Sequence, residues 1–143
     1  MMTLQEFERV LTASLDMVRP RLEVGLDKIG TLAATLAASY PGTYQPGWAP
    51  LAESTILGKE RDGWPVPSPL LRTGEMAGSY RHELEPAELA VTVGSPSKIA
   101  LYQEIGTSRI PPRPVCEPAL KNSLPYAADV LGEIAVSLLG GKL

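Results

Sequence analysis

The sequence predicts an α+β domain in which two terminal helices cover one face of a small antiparallel sheet. Three observations predict it. Apolar residues step by three or four at both ends of the chain, two short runs alternate near its middle, and Pro and Gly crowd much of the remainder. The 143 residues suit one domain. We divide it into an N-terminal helix (1–40), an extended arm (41–78), a stretch of hairpin, short helix and edge strand (79–116), and a C-terminal helix (117–143).

Leu4, Phe7, Leu11, Leu15, Val18, Leu22, Leu26, Ile29, Ala33 and Leu36 form the stripe of an amphipathic first helix. Thr3 and Glu6 have capping-box spacing at its start, Pro20 predicts a kink within it, and Tyr40-Pro41-Gly42 ends it. From 41 to 73 the pattern dissolves into Pro46-Gly47-Trp48, Gly63-Trp64-Pro65 and Pro67-Ser68-Pro69, with at most one helical turn near Glu53 to Gly58. A loop this long binds something or stays disordered. Trp48 and Trp64 either mark a binding arm that orders on assembly or tuck onto the chain's own core.

Tyr80, His82 and Leu84, then Leu89, Val91 and Val93, alternate on either side of Glu85-Pro86-Ala87-Glu88, which predicts a hairpin. Ser95-Pro96 opens a short helix to Ile105 that presents Ile99, Tyr102 and Ile105 inward, and Gly106 stops it in the left-handed region. The prolines of Ile110-Pro111-Pro112-Arg113-Pro114-Val115 impose an extended tract, expected as an edge strand. Leu120, Leu124, Ala127, Ala128, Leu131, Ile134, Ala135 and Leu138 then mark the face of a closing helix that runs through Pro125 to Gly140-Gly141.

Composition narrows function. A formal charge of −3 and a pI near 5.2, with no run of Lys or Arg, make sequence-specific nucleic-acid binding a poor expectation. The single Cys116 forms no internal disulfide and fits a reducing compartment. Met1-Met2-Thr3-Leu4 predicts no leader and no membrane anchor. His82 reads as a sheet-face residue, and a Cys116–His82 nucleophile pair, the basis of a small hydrolase, lacks an orienting group. Scattered carboxylates predict no metal, and Gly94-Ser95-Pro96-Ser97-Lys98 lacks the spacing of a phosphate loop. No catalytic residue and no cofactor are therefore expected.

The run Tyr102-Gln103-Glu104-Ile105-Gly106-Thr107-Ser108-Arg109-Ile110-Pro111-Pro112-Arg113-Pro114, continued by Glu117-Pro118-Ala119-Leu120, resembles the signature of the tail-completion family of long-tailed bacteriophages. In that family an aromatic residue, an acid, a Gly-Thr pair and a Pro-x-Arg-Pro run precede the last helix. Trp48-Ala49-Pro50-Leu51 with Thr55 and Lys59 resembles a second family element, and Pro69-Leu70-Leu71-Arg72-Thr73-Gly74-Glu75-Met76 a third. This second and third pairing resembles the related virion-morphogenesis proteins of contractile-tailed phages. Val115-Cys116 departs from the family, which has a bulkier pair there.

The resemblance implies a non-enzymatic virion protein, made in the host cytoplasm and built into the neck. It would form a homo-oligomeric ring, six-fold like the tail tube, that completes the tail and joins it to the head connector. Genome DNA would pass through the ring. A tail terminator or a head-closure stopper of the same neck is the alternative. Trp48, Trp64, Arg72, Gly106, Thr107, Arg109, Arg113 and Pro114 are the expected subunit or partner contacts. Arg113 has two readings: a neighbouring subunit's carboxylate or carbonyl, or Glu104 or Glu117 of its own chain.

Overall fold

The structure is a computed structural model that describes residues 3–138. The expected stop at Gly140-Gly141 lies outside them. The chain is α+β: α1 (Leu4–Ser39), α2 (Glu53–Arg61), a short 3₁₀ turn (Ala77–Ser79), β1 (Arg81–Glu85), β2 (Ala90–Gly94), α3 (Lys98–Ile105) and α4 (Cys116–Leu138).

The capping box forms as expected, with Glu6 N–H donating to Thr3 Oγ1 at 3.2 Å and Thr3 N–H to Glu6 Oε2 at 2.7 Å. α1 runs through Pro20 and α4 through Pro125. The carbonyl that loses its partner to Pro20 belongs to Asp16, and both residues are exposed, so water takes the place of the missing N–H.

α1 and α4 pack antiparallel. Arg21 Nη1 donates to Ser137 Oγ at 2.9 Å, and far along the pair Asn122 Nδ2 donates to the Tyr40 hydroxyl at 2.7 Å. The face α4 buries is Ala119, Ser123 and Val130, one position away from the expected Leu120, Leu124 and Leu131, which are exposed. Small residues explain the rotation. Ala119 and Ser123 are fully buried, as is Ala37, with which Ala119 shares the core, in a close helix packing that leucines would hold apart.

β1 and β2 pair antiparallel, with His82 opposite Val93 and Leu84 opposite Val91. These four half-buried side chains alternate with exposed Glu83 and Thr92. Arg19 fixes the hairpin end by donating to the carbonyls of Pro86 and Ala87 at 2.7 and 3.0 Å, and His82 Nε2 lies 2.9 Å from Asp27 Oδ1. Tyr80 precedes β1 and joins the core with Ala37, Tyr40, Trp48, Ala100, Val115 and Ala119, whereas Leu89 sits in the turn at φ 49°.

Four expectations are corrected. The 41–73 segment contains the nine-residue α2 rather than one turn, with Glu53 in its first turn and Lys59 and Arg61 in its last, each suited to the helix dipole. Of the two readings of Trp48, the structure shows the one in which it tucks onto the chain's own core. α3 begins after Ser97, not at Ser95-Pro96, and turns Ile99, Tyr102 and Ile105 outward while Ala100 faces the core. The 110–115 tract joins no sheet; Arg113 N–H instead donates to the Gln103 carbonyl at 2.6 Å.

Two glycines set how closely α1 approaches its neighbours. A Cβ on Gly30 would lie 2.5 Å from Val91 Cγ2 and 2.7 Å from His82 Cδ2, and one on Gly25 would lie 2.6 Å from Ile134 Cδ1. The Ile134 methyl ends a flexible chain, while Val91 is stiff and the His82 ring is held by Asp27. Overpacking of about 1–3 kcal/mol outweighs the roughly 1 kcal/mol that alanine gains in a helix only at Gly30. Chemical denaturation should therefore find Gly30→Ala about 1–2 kcal/mol less stable than Gly25→Ala.

Candidate functional site

The arm, the end of α3 and the loop leading to α4 meet in one place. Gly106, at φ 73°, ends α3; a Cβ there would stand 2.8 Å from the nitrogen of Pro112 and 3.1 Å from the carbonyl oxygen of Ile110. Thr107 closes the turn. Its N–H donates to the Ile110 carbonyl at 2.9 Å, and its Oγ1 accepts from the N–H groups of Arg109 and Ile110 at 3.2 and 3.3 Å.

This turn carries Arg113 into the body, where it is 6% exposed. Its Nε and Nη2 donate to the Ala49 carbonyl at 3.2 and 3.0 Å, and Nη2 also to the Pro50 carbonyl at 3.1 Å. The partner is thus neither Glu104 nor Glu117 but the backbone of the arm. Trp48 makes the reciprocal stitch, its Nε1–H donating to the Pro114 carbonyl at 3.0 Å. Two proline-rich segments, unable to pair as a ladder, are joined by a guanidinium and an indole instead.

Glu104 is a functional side chain that sequence reasoning placed only as a possible partner of Arg113. Its carboxylate accepts from the N–H groups of Val115 at 2.7 Å, Cys116 at 3.1 Å and Glu117 at 3.3 Å, capping α4 from another helix. The same carboxylate bears on Cys116. Burial first and Glu104 second push the thiol up to about 11, the reverse of nucleophile activation. Burial likewise pushes Tyr80 upward, with Cys116 and Glu104 adding to it. His82, the other half of the hydrolase reading, is engaged with Asp27 across the α1–sheet contact.

Beside the lock lies an open groove of about 1130 Å³. Trp64, Arg72, Arg109 and Glu75 line it, together with Lys59, which is 4% exposed. Lys59 Nζ donates to the Leu71 carbonyl at 2.7 Å and to the Ser68 carbonyl, and burial, then the charge of Arg72, draws its pKa down. Leu70 is held at φ 59° on the groove wall, a conformation that is strained for a side-chain-bearing residue. Four cations against Glu75 give the groove a positive bias, and Arg72 and Arg109 take part in no ion pair among the described residues. Such a groove suits an acidic or carbonyl-rich protein segment.

Of the expected contact residues, Trp48, Gly106, Arg113 and Pro114 form the lock, Thr107 closes its turn, and Trp64, Arg72 and Arg109 line the groove. Among the described residues, no three His, Cys, Asp or Glu side chains cluster to hold a metal, and no helix is long and apolar enough to cross a membrane.

Two measurements probe the lock. Arg113→Ala should lower unfolding free energy by about 2–4 kcal/mol, since it orphans two carbonyls, and Arg113→Lys should recover only part of that. The second concerns alkaline pH. The unfolded thiol of Cys116 releases its proton near 9.0 and the folded one near about 11, so the folded state holds more protons in that window and stability falls as pH rises through it. Between pH 9 and 10, below the ordinary 10.0 of Tyr80, Cys116→Ala should flatten that fall in pH-dependent denaturation.

No family model matches the chain, and comparison with curated proteins and with solved structures likewise finds no match.

Proposed function

We propose that the protein is a structural subunit of a tailed-phage neck, forming a ring that completes the tail and joins it to the head. One observation carries the reading. The three runs that resemble the tail-completion family are separated by up to half the chain, yet Pro50, Leu51, Thr55 and Lys59 of the run at Trp48, Leu70 to Met76 of the run at Pro69, and Gln103, Arg109 to Pro111 and Arg113 of the run at Tyr102 line one groove. Residues that share a signature only by chance have no reason to share a surface.

The site also has the character of a docking surface rather than of a reaction centre. Its buried cations are spent on backbone carbonyls, which stiffens the groove wall, and its exposed Arg72 and Arg109 lie on the rim. A stiff wall loses little entropy when a neighbour docks. The protonated Cys116 and the Asp27-bound His82 supply no nucleophile to it.

Deleting the gene should give DNA-filled heads and separate, complete-length tails that fail to unite, as seen by electron microscopy of lysates. Normal joined particles from the deletion would overturn the reading.

A further inference from the structure

Two uncovered apolar faces lie at opposite ends of the chain. The first is the amino-terminal part of α1. α4 reaches the level of Arg21 at Ser137, and the hairpin end reaches Arg19, so among the described residues α1 overhangs the body from Leu4 to about Met17. Fourteen residues of helix make an arm roughly 21 Å long. Leu4, Phe7, Val10 and Met17 lie along it, each half or more exposed, from 51% at Phe7 to 84% at Leu4.

The second face belongs to α3 and the flank of α4. α3 is inside out: Ala100, Gln103 and Glu104 face the body, while Ile99, Leu101, Tyr102 and Ile105 face outward, with Ile105 66% exposed. Leu120, Leu124 and Leu131 extend the open apolar surface along α4. An amphipathic helix with its apolar side outward is a surface awaiting cover.

We propose that the overhanging arm of α1 docks on the α3–α4 face of a second copy of this chain, head to tail. The faces cannot meet within one subunit. The arm ends near Met17, and Tyr40 joins Ala100, Val115 and Ala119 in the core beside α3, so the arm and α3 are separated by about 35 Å of helix, and Leu131 precedes Ser137, which at the level of Arg21 is already past the arm's end. Charge favours the same pairing. Glu6, Glu8 and Asp16 outnumber Arg9 on the arm, and the α3 end of the face is the basic one, with Lys98 on α3 and Arg72 and Arg109 on the neighbouring groove, whereas exposed Glu117, Asp129 and Glu133 outnumber Lys121 along α4.

The size of the contact sets its strength. Half-embedding a 21 Å helix hides on the order of 400–500 Å² per partner, short of the roughly 800 Å² typical of a stable pair. A single contact is therefore weak, and a closed ring, in which every subunit makes it twice, is favoured over an isolated dimer. The proposal deepens the ring reading by naming its subunit contact, and only the closure rests on that reading.

Sedimentation equilibrium on the full chain tests it with two variants, F7D/V10D on the arm and Y102D/L124D on the face. Wild type should associate as concentration rises, and each variant alone should weaken association by about tenfold or more. An equimolar mixture should form dimers and nothing larger, because one intact arm then meets one intact face. Circular dichroism should show both variants folded, and the milder F7S and L124S should repeat the result if either is not. A monomeric wild type, variants that associate like wild type, or a mixture that grows beyond dimers would each overturn the contact; arm-to-arm pairing gives the second of these, since the face variant would then associate like wild type. Electron microscopy separates the two readings. Open chains with complementing variants keep the contact and remove the ring, and closed rings that survive both variants do the opposite.

Discussion

The guanidinium of Arg113, set against the carbonyls of Ala49 and Pro50, is the constraint on which the functional end of the molecule depends. A proline-rich segment offers acceptors and few donors, so two such segments have no means of pairing through their own backbones. Arginine answers this with five N–H groups and no acceptor of its own. Its charge is buried without a carboxylate, yet three hydrogen bonds to carbonyl dipoles meet the desolvation that would otherwise exclude it. Trp48 returns one donor in the opposite direction, to Pro114. Remove either stitch and the arm keeps one polar tie to the body beside its apolar contacts, since the bonds of Lys59 to Ser68 and Leu71 and of Gly42 to Pro69 only brace the arm internally.

Glu104 makes the next joint. By capping α4 from α3 it ties the direction of the last helix to the lock beside it, since the N–H groups it satisfies belong to Val115, Cys116 and Glu117, immediately after Pro114. The arrangement accounts for the small residues that follow. With the start of α4 fixed, Ala119 and Ser123 pass close to α1, where Ala37 and Gly25 leave room for α4 while Gly30 leaves room for the hairpin. The core is correspondingly lean, built from alanines and a few aromatics rather than from interlocked leucines.

Much of the architecture was legible because it is local. The α1 stripe, its capping box, the hairpin and the helical pattern of α4 each follow from periodicity and neighbouring residues. The misreadings share one cause. Periodicity counts leucines and assumes the larger side chain points inward, so it assigned Leu120, Leu124 and Leu131 to the core in place of Ala119, Ser123 and Val130, and turned Ile99 and Tyr102 inward in place of Ala100. Close helix contact reverses that assumption. The partner of Arg113 was illegible for a different reason, because a backbone carbonyl sixty residues away leaves no mark in side-chain identity. The lock residues themselves stood out, since prolines flanking an arginine are uncommon enough to draw notice.

The leucines that periodicity placed wrongly are informative for that very reason. The sequence keeps the outer sides of α3 and α4 apolar, and keeps apolar residues on a helix end that overruns the described body, although neither gains stability in an isolated chain. Exposed apolar surface carries a solubility cost that a monomer has no reason to bear. The groove differs in kind, being polar, cationic and stiffened by carbonyl-bound Lys59 and Arg113. Apolar faces at the two ends suit contact between like subunits, where burial provides the energy, and a charged, rigid groove suits selection of an unlike partner, where complementarity provides the discrimination. The proposed neck ring would need both kinds of contact at once, and on this chain the apolar faces and the groove are separate surfaces.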